Sequence, residues 1–190
     1  MTIPSYHTWV LAAVGLLRLW ELGFSARQLA RDRRAQRAAL IREPGFAAMV
    51  AVHGGWYLGM VAEVLWRDFP FPSGIMLSAL VAWCLALALR AWVLLSLGEV
   101  WNVRLVSRRN QPVITAGPYR FVRHPNYSAV ILEMAAVPLL VGAPLTALLG
   151  SLANGVVLYF RIRQEEAYLF SVSGYERAFG HKKRLVPWVF

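Results

Sequence analysis

Long apolar runs separated by short polar segments are the dominant pattern along the chain. A bilayer core of about 30 Å takes about 20 residues of helix, and three runs match that scale: Thr8 to Phe24, Gly45 to Trp66 and Gly74 to Leu97. A polar stretch from Gly98 to Pro125 follows. Two more runs, Tyr127 to Val141 and Pro144 to Phe160, are separated by Gly142-Ala143-Pro144, a tight turn between antiparallel helices. The fourth run is short for a full span, so this pair is expected to tilt or re-enter. From Arg161 the tail is polar and basic as far as Leu185-Val186-Pro187-Trp188. The pattern predicts an all-α polytopic membrane protein of about five transmembrane helices, the last two forming a helical hairpin. It reads as a single membrane domain over 1–190, with three spans in 1–97 and a loop, hairpin and tail in 98–190.

Composition agrees with that pattern. Apolar residues make up 58% of the 190 and charged residues 16%, against about 45–50% and about a quarter in soluble domains. The excess must face lipid or a large partner. The net charge is +10, but its basic residues sit in blocks beside apolar runs and not along one soluble face, which argues against a nucleic-acid partner. The single cysteine, Cys84, lies inside an apolar run as a small filler and excludes an internal disulfide or a cysteine metal cluster. No metal site is expected. The first run is not a removable signal, because its basic residues follow the run.

The basic blocks also predict orientation. They comprise Arg27, Arg31, Arg33, Arg34, Arg37 and Arg42; then Arg104, Arg108, Arg109, Arg120 and Arg123; then Arg161, Arg163, Arg177, Lys182, Lys183 and Arg184. The remaining loops carry only Arg67, beside Asp68. Five spans put all three blocks on one side, with the N-terminus outside and the C-terminus cytosolic; an even number would split them. Trp20, Trp66 and Trp101 fall at predicted span ends, as an interfacial belt would have it. Gly55 and Gly59 form a GxxxG that can admit a close neighbouring helix.

Charges inside apolar runs need partners, a cavity or an interface. Arg18 and Glu21 are three apart and can neutralise each other. Arg90 and Glu99 are expected to snorkel to the cytosolic side, and Glu63 to reach water at the opposite end. Glu133 lies about two turns into the fourth run, just after the most polar motif. Two roles stay open for it, lining a site or completing a structural pair.

That motif is Gly117-Pro118-Tyr119-Arg120-Phe121-Val122-Arg123-His124-Pro125-Asn126-Tyr127. Gly-Pro opens a turn, the tyrosines supply aromatic faces, and Arg120, Arg123 and His124 supply donors. Pro125 suits a first helical turn, whose N–H groups, with Arg and His nearby, fit a carboxylate or phosphate. A loop that only anchors to anionic lipid explains the arginines but not His-Pro or the tyrosines. A second cluster, Arg161-Ile162-Arg163-Gln164-Glu165-Glu166, has Arg161 and Glu165 on one helical face. The hairpin brings the two clusters together at one membrane surface.

Taken with Leu97-Gly98, Trp101-Asn102 and Val113 to Ala116, these motifs resemble the isoprenylcysteine carboxyl methyltransferase family over roughly Leu97 to Pro187. The resemblance implies an S-adenosylmethionine-dependent enzyme whose pocket is made by the last two helices, the preceding loop and the tail. It implies that Gln111, Pro112, Val113 and Ile114, then Tyr119, then His124, Pro125, Asn126 and Tyr127, with Arg123 beside them, and finally Glu165, hold that cofactor. It associates Arg161 with the acceptor, and Arg161 and Glu133 are the catalytic candidates. The sequence departs from the family pattern at Ser128-Ala129, at Ser171 to Tyr175, and at Phe179 where a second Tyr is common, which bears on the acceptor more than on the cofactor. A prenylated cysteine carboxylate is the acceptor implied; being ionised, it needs no base, and Arg161 orients it. A lipid-tailed phenol or pyrone is the alternative, with His124 or Glu133 as candidate bases. A nicotinamide-dependent membrane reductase and a non-enzymatic lipid-binding protein are further alternatives. No Gly-rich dinucleotide loop is present.

Overall fold

The computed structural model describes residues 5–41, 43, 45–67, 72–108 and 112–186. Arg42, Asp68, Arg109, Gln111, Pro187 and Trp188 lie outside the described residues. The elements are α1 (Ser5–Arg34), β1 (Ala38–Leu40), α2 (Phe46–Trp66), α3 (Ser73–Leu97), β2 (Val106–Arg108), α4 (Pro125–Leu140), α5 (Pro144–Leu169) and α6 (Tyr175–Phe179), with 3-10 turns at Gly98–Val100 and Gly117–Arg120. Four segments are long and apolar enough to cross a membrane, Tyr6–Arg34, Phe46–Trp66, Ser73–Val100 and Pro144–Leu169. The fourth apolar run forms α4, whose 16 residues extend only about 24 Å. The protein is an all-α polytopic membrane protein, and α4 and α5 form the expected hairpin, turning at Gly142 (φ +73°) with Pro144 opening α5.

The helices run past the apolar boundaries. α1 continues from Phe24 to Arg34, and α5 from Phe160 to Leu169, because Arg, Gln, Glu and Ala favour helix once it leaves the bilayer. The short antiparallel ribbon was not legible in the sequence. It pairs Ala38 with Arg108 and Leu40 with Val106, tying the first loop to the third and placing both on one side of the bundle. Asp32 accepts from Arg108 Nε at 2.8 Å. Ser25 and Asn102 bond reciprocally at 2.9 and 3.0 Å.

α4 is the central helix, with most of its Ala, Val and Met positions buried. In the half of the bundle away from the ribbon, Leu11 and Val14 of α1 pack with Trp56 and Met60 of α2 and Val130, Met134 and Val137 of α4. Trp56 Nε1 donates to the Met134 carbonyl at 3.0 Å. α5 reaches α2 closely at small residues: a Cβ on Gly150 would stand 2.5 Å from Trp56 Cδ1, and one on Gly59 would stand 3.2 Å from Thr146 Oγ1. A Cβ on Gly55 would meet nothing within 4 Å, so only the Gly59 end of the GxxxG serves helix approach.

The intramembrane charges are arranged differently from expectation. Arg18 does bind Glu21, at 2.7 Å, but both belong to a larger ring. Arg18 Nη2 donates to Glu133 at 2.6 Å, Arg90 Nη1 donates to Glu21 at 3.0 Å, and Arg90 also binds the second Glu133 oxygen. Arg90 is 4% exposed and does not snorkel; it closes a neutral ring of two arginines and two glutamates across α1, α3 and α4. Glu99 does reach the surface, where it pairs with Arg31 at 2.5 Å. Glu63 does not reach water. Its carboxylate caps α5, accepting from Leu145 N at 3.0 Å, Thr146 N at 2.8 Å and Thr146 Oγ1 at 2.7 Å, where the helix start favours negative charge. Trp20 and Trp66 are exposed as belt residues would be, whereas Trp101 is buried against Phe24. Cys84 is exposed on α3.

The ring makes a stability prediction. Arg90→Ala leaves two buried glutamates facing only Arg18, and removing one partner of a buried ion pair costs about 3–5 kcal/mol. Thermal unfolding in detergent is expected to show a clearly lowered midpoint, while Arg31→Ala, which breaks only the exposed pair to Glu99, leaves it unchanged.

Candidate active site

The polar end of the bundle is assembled around the start of α4. Gly117 (φ +59°) presses against α3, where an added Cβ would fall 1.9 Å from Ser96 Oγ. This left-handed glycine sets the turn that presents Tyr119. Pro125 is the first residue of α4 and His124 its N-cap. The helix start is not the open anion site anticipated. His124 N donates to the Arg184 carbonyl and Arg123 N to that of Lys183, each at 2.9 Å, and the Tyr127 and Ser128 N–H groups return to the His124 carbonyl. The tail is thus strapped along the start of α4, further held by Ser128 Oγ donating to the Leu185 carbonyl at 2.6 Å.

The two sequence clusters meet at two points, Glu166 and Glu165, and Glu166 takes Arg123 and His124. Its side chain is 8% exposed, with Arg123 Nη1 at 3.1 Å, His124 Nε2 at 3.3 Å and Arg184 Nη2 at 2.8 Å. Arg123 also donates to the Phe179 and Gly180 carbonyls, both at 3.0 Å. Arg123 and His124 therefore spend most of their donors on the tail.

Glu165 belongs to a second chain of bonds. Tyr127 Oη donates to it and accepts from Arg161 Nε at 2.9 Å. The other nitrogens of Arg161 reach Met49 Sδ at 3.0 Å, Glu43 Oε2 at 3.2 Å and the Val103 carbonyl at 2.5 Å. Glu43, with a side chain 3% exposed, also accepts from Leu105 N at 2.8 Å.

Arg123, His124, Tyr127, Arg161 and Glu165 border one cavity of about 730 Å³, which Glu43 and Glu166 do not line. Of the sequence candidates, Pro112, Val113, Ile114, Tyr119, Arg123, His124, Asn126, Tyr127, Arg161 and Glu165 line it. Pro125 is buried in the first turn of α4, Glu133 is enclosed in the charge ring, and Gln111 lies outside the described residues. Near Tyr119, the rings of Phe179 and Tyr175 build an aromatic wall, Tyr175 stacked on Phe179 at 4.7 Å. Burial, and then the Glu165 charge, push the Tyr119 phenol well above its ordinary range, and the same two causes raise Tyr175. Both hydroxyls stay protonated. Asn126 Oδ1 is buried without a hydrogen-bond partner among the described residues.

The cavity continues into the membrane half of the bundle, between Leu19 and Leu22 of α1 and Val50 and Leu58 of α2. Those four residues are also exposed on the outer surface, so this end opens sideways between the two helices. Met49, His53 and Glu43 were not singled out in the sequence, and Arg104 was there only one member of a basic block. His53 and Glu43, polar residues within or just ahead of an apolar run, were the signals available.

The family model of the isoprenylcysteine carboxyl methyltransferases matches residues 78–171. An uncharacterised Bacillus subtilis protein, YpbQ, is 32% identical over 161 residues, covering 85% of this chain and 95% of its own. The chain belongs to the isoprenylcysteine carboxyl methyltransferase family. It is a membrane methyltransferase. An uncharacterised Haemophilus influenzae protein is 28% identical over 116 residues, covering 60% of this chain and 67% of its own. The Schizosaccharomyces pombe protein-S-isoprenylcysteine O-methyltransferase is 34% identical over 99 residues, covering 51% of this chain and 42% of its own. The matched segment of this family member spans most of α3, all of α4 and α5, and the loop between α3 and α4; α1 and α2 lie outside it.

The tail strap predicts a local phenotype. Glu166→Ala removes the acceptor shared by three cationic or imidazole donors, each such bond contributing about 1.5–3 kcal/mol. Limited proteolysis of a C-terminally tagged protein in detergent is expected to release the tail on the order of tenfold faster, with the α1–α5 fragment staying intact.

Proposed function

We propose that the protein transfers a methyl group from S-adenosylmethionine to an oxygen of a lipophilic acceptor. The observation that carries this is the single cavity with two chemistries, polar and aromatic at the loop end, apolar and open to lipid at the other. The cofactor side fits its residues. Asn126 offers an unused buried acceptor to an N–H donor, Glu165 offers an anion, and the Tyr119 ring offers an aromatic surface to a cationic centre. When bound, S-adenosylmethionine supplies an activated methyl group on a cationic sulfur. Tyr127 fixes Glu165, Arg161 fixes Tyr127, and the strapped tail keeps water from the polar end. Positioning supplies much of the rate in such a displacement. The acceptor's tail lies between α1 and α2, its reactive oxygen facing the Tyr127–Arg161 pair.

For orientation, the basic blocks favour an N-terminus outside and a cytosolic C-terminus and active site. The β1–β2 pairing supports this by holding two of those blocks on one side.

The acceptor follows less directly from the family. A carboxylate of isoprenylcysteine type would call on Arg161 to orient it, yet that guanidinium is already engaged by Glu43, Tyr127 and Val103. This favours the second reading, an acceptor bearing a neutral hydroxyl, such as a lipid-tailed phenol or pyrone. Such an acceptor needs a base. Glu133 is locked between Arg18 and Arg90, which argues against it, and His124 donates from Nε2 to Glu166, leaving a lone pair only on Nδ1 at the polar end of the cavity.

Calorimetry on detergent-purified protein tests the cofactor. Wild type is expected to bind S-adenosylmethionine, with Glu165→Ala and Asn126→Leu each weakening it about tenfold, the loss of one hydrogen bond to a charged group. Binding of a nicotinamide cofactor instead would sink the methyl-transfer reading in favour of a membrane reductase.

A further inference from the structure

We propose that His53 is the base that takes the proton from a phenolic or enolic hydroxyl of the acceptor, which makes a neutral hydroxyl, not a carboxylate, the group methylated. This rests on the methyl-transfer reading above.

His53 sits in the middle of an apolar helix, where a polar side chain without a partner is costly. Its Nδ1 lies 2.9 Å from the Met49 carbonyl. A carbonyl only accepts, so Nδ1 carries the hydrogen and Nε2 holds a lone pair in the neutral ring. Nε2 has no partner among the described residues, and the ring lines the cavity. The tautomer that a proton acceptor requires is thus set by the backbone of α2.

Its position suits the task. Met49 and His53 are one turn apart on one face of α2, a rise of about 6 Å. Met49 Sδ touches Arg161 Nη1 at 3.0 Å. His53 therefore stands one turn deeper in the membrane than the Arg161–Tyr127 pair, where the polar end of the cavity gives way to its lipid-open part. A hydroxyl at the head of a long apolar tail comes to rest at that boundary.

The carboxylates in and near the cavity are committed. Glu43 is paired with Arg161, Glu21 with Arg18 and Arg90, and Glu165 holds the Tyr127 hydroxyl. Glu43 and Glu165 also argue against a second anion beside Arg161. The charges facing His53 from other elements are Arg18 of α1, Arg90 of α3 and Glu133 of α4, all inside the neutral ring. In the step itself, the acceptor O–H bond breaks and its proton passes to Nε2. The oxygen forms the new bond to the methyl carbon of the sulfonium donor, and the methyl–sulfur electron pair stays on sulfur. The imidazolium returns its proton to water after the methyl ether leaves.

The test uses full-length protein in detergent, S-adenosylmethionine, and two probes, pentadecylresorcinol and N-acetyl-S-farnesylcysteine. Wild type is expected to methylate the resorcinol and not the farnesylcysteine, with a rate that rises with pH as the imidazole loses its proton. His53→Gln keeps a hydrogen-bond acceptor but cannot serve as a base. It is expected to bind the resorcinol by calorimetry as wild type does, to lose about a hundredfold in kcat, and to lose that pH dependence. His53→Phe is expected to lose resorcinol binding as well. Preference for the farnesylcysteine, or a His53→Gln rate and pH profile matching wild type, would overturn the proposal while leaving the cofactor reading standing. Failure of wild type to bind S-adenosylmethionine would overturn both. If either variant fails to fold, the wild-type pH profile decides, a rate that does not rise across the imidazole range of about pH 5–8 overturning the proposal.

Discussion

In hydrocarbon an ionised side chain finds no water, so it must meet an opposite charge or stay out. The ring of Arg18, Glu21, Arg90 and Glu133 obeys that constraint and, in doing so, sets the shape of the bundle. α1 is otherwise held by the Leu11–Val14 cluster, the Tyr57 hydroxyl bonded to the Leu11 carbonyl at 3.1 Å, and the ribbon-side bonds of Ser25 and Asp32. Between those anchors the ring ties α1 to α3 and α4 but not to α2. The space left between α1 and α2 is the lipid-open part of the cavity. A buried ion ring is weak as a source of stability compared with packed apolar residues. Its value here is geometric, since it fixes α1 at a standoff that apolar packing would close.

The helices were legible because hydropathy and length report directly on bilayer thickness, and the hairpin because Gly-Ala-Pro leaves few alternatives. Charge partners were not. Arg18 and Glu21 could be paired from their spacing, but Arg90 and Glu133 are 43 residues apart, and only the packing of α3 on α4 brings them together. The same holds for Glu63, which looked like a residue escaping to water and is instead the cap of a helix that begins 81 residues later. The ribbon is three residues per strand, too short to carry a period. At the site, most of the residues the motifs named line one cavity. What the motifs did not reveal is which of them face it freely. Arg123 and His124 look like ligand donors in sequence, yet the tail takes most of their bonds, and Glu166 anchors both in place of its neighbour.

The tail strap explains why so short a segment beyond the last span can hold an ordered pocket. Its backbone carbonyls occupy N–H groups at the start of α4 that would otherwise be free to bind an anion, and its arginine completes the Glu166 cluster. The aromatic wall of α6 is thereby fixed against Tyr119, with Lys182 Nζ over the Phe179 ring at 4.4 Å and bonded to the Tyr119 carbonyl at 2.8 Å. Pocket and strap are one construction, so the basic tail residues serve architecture as well as topology.

The division of labour between the two halves of the chain bears on specificity. The family match covers α4, α5 and the loop ahead of them, which build much of the polar end. α1 and α2 lie outside it, and they supply the apolar walls, the opening to lipid and His53. An acceptor meets mostly these walls. Specificity for its tail then resides in Leu19, Leu22, Val50 and Leu58, and specificity for its reactive group in whether the turn above Met49 carries a base. A family member with an apolar residue at that turn and an uncommitted arginine at the position of Arg161 would suit a carboxylate; this chain has the base, and its arginine is already paired.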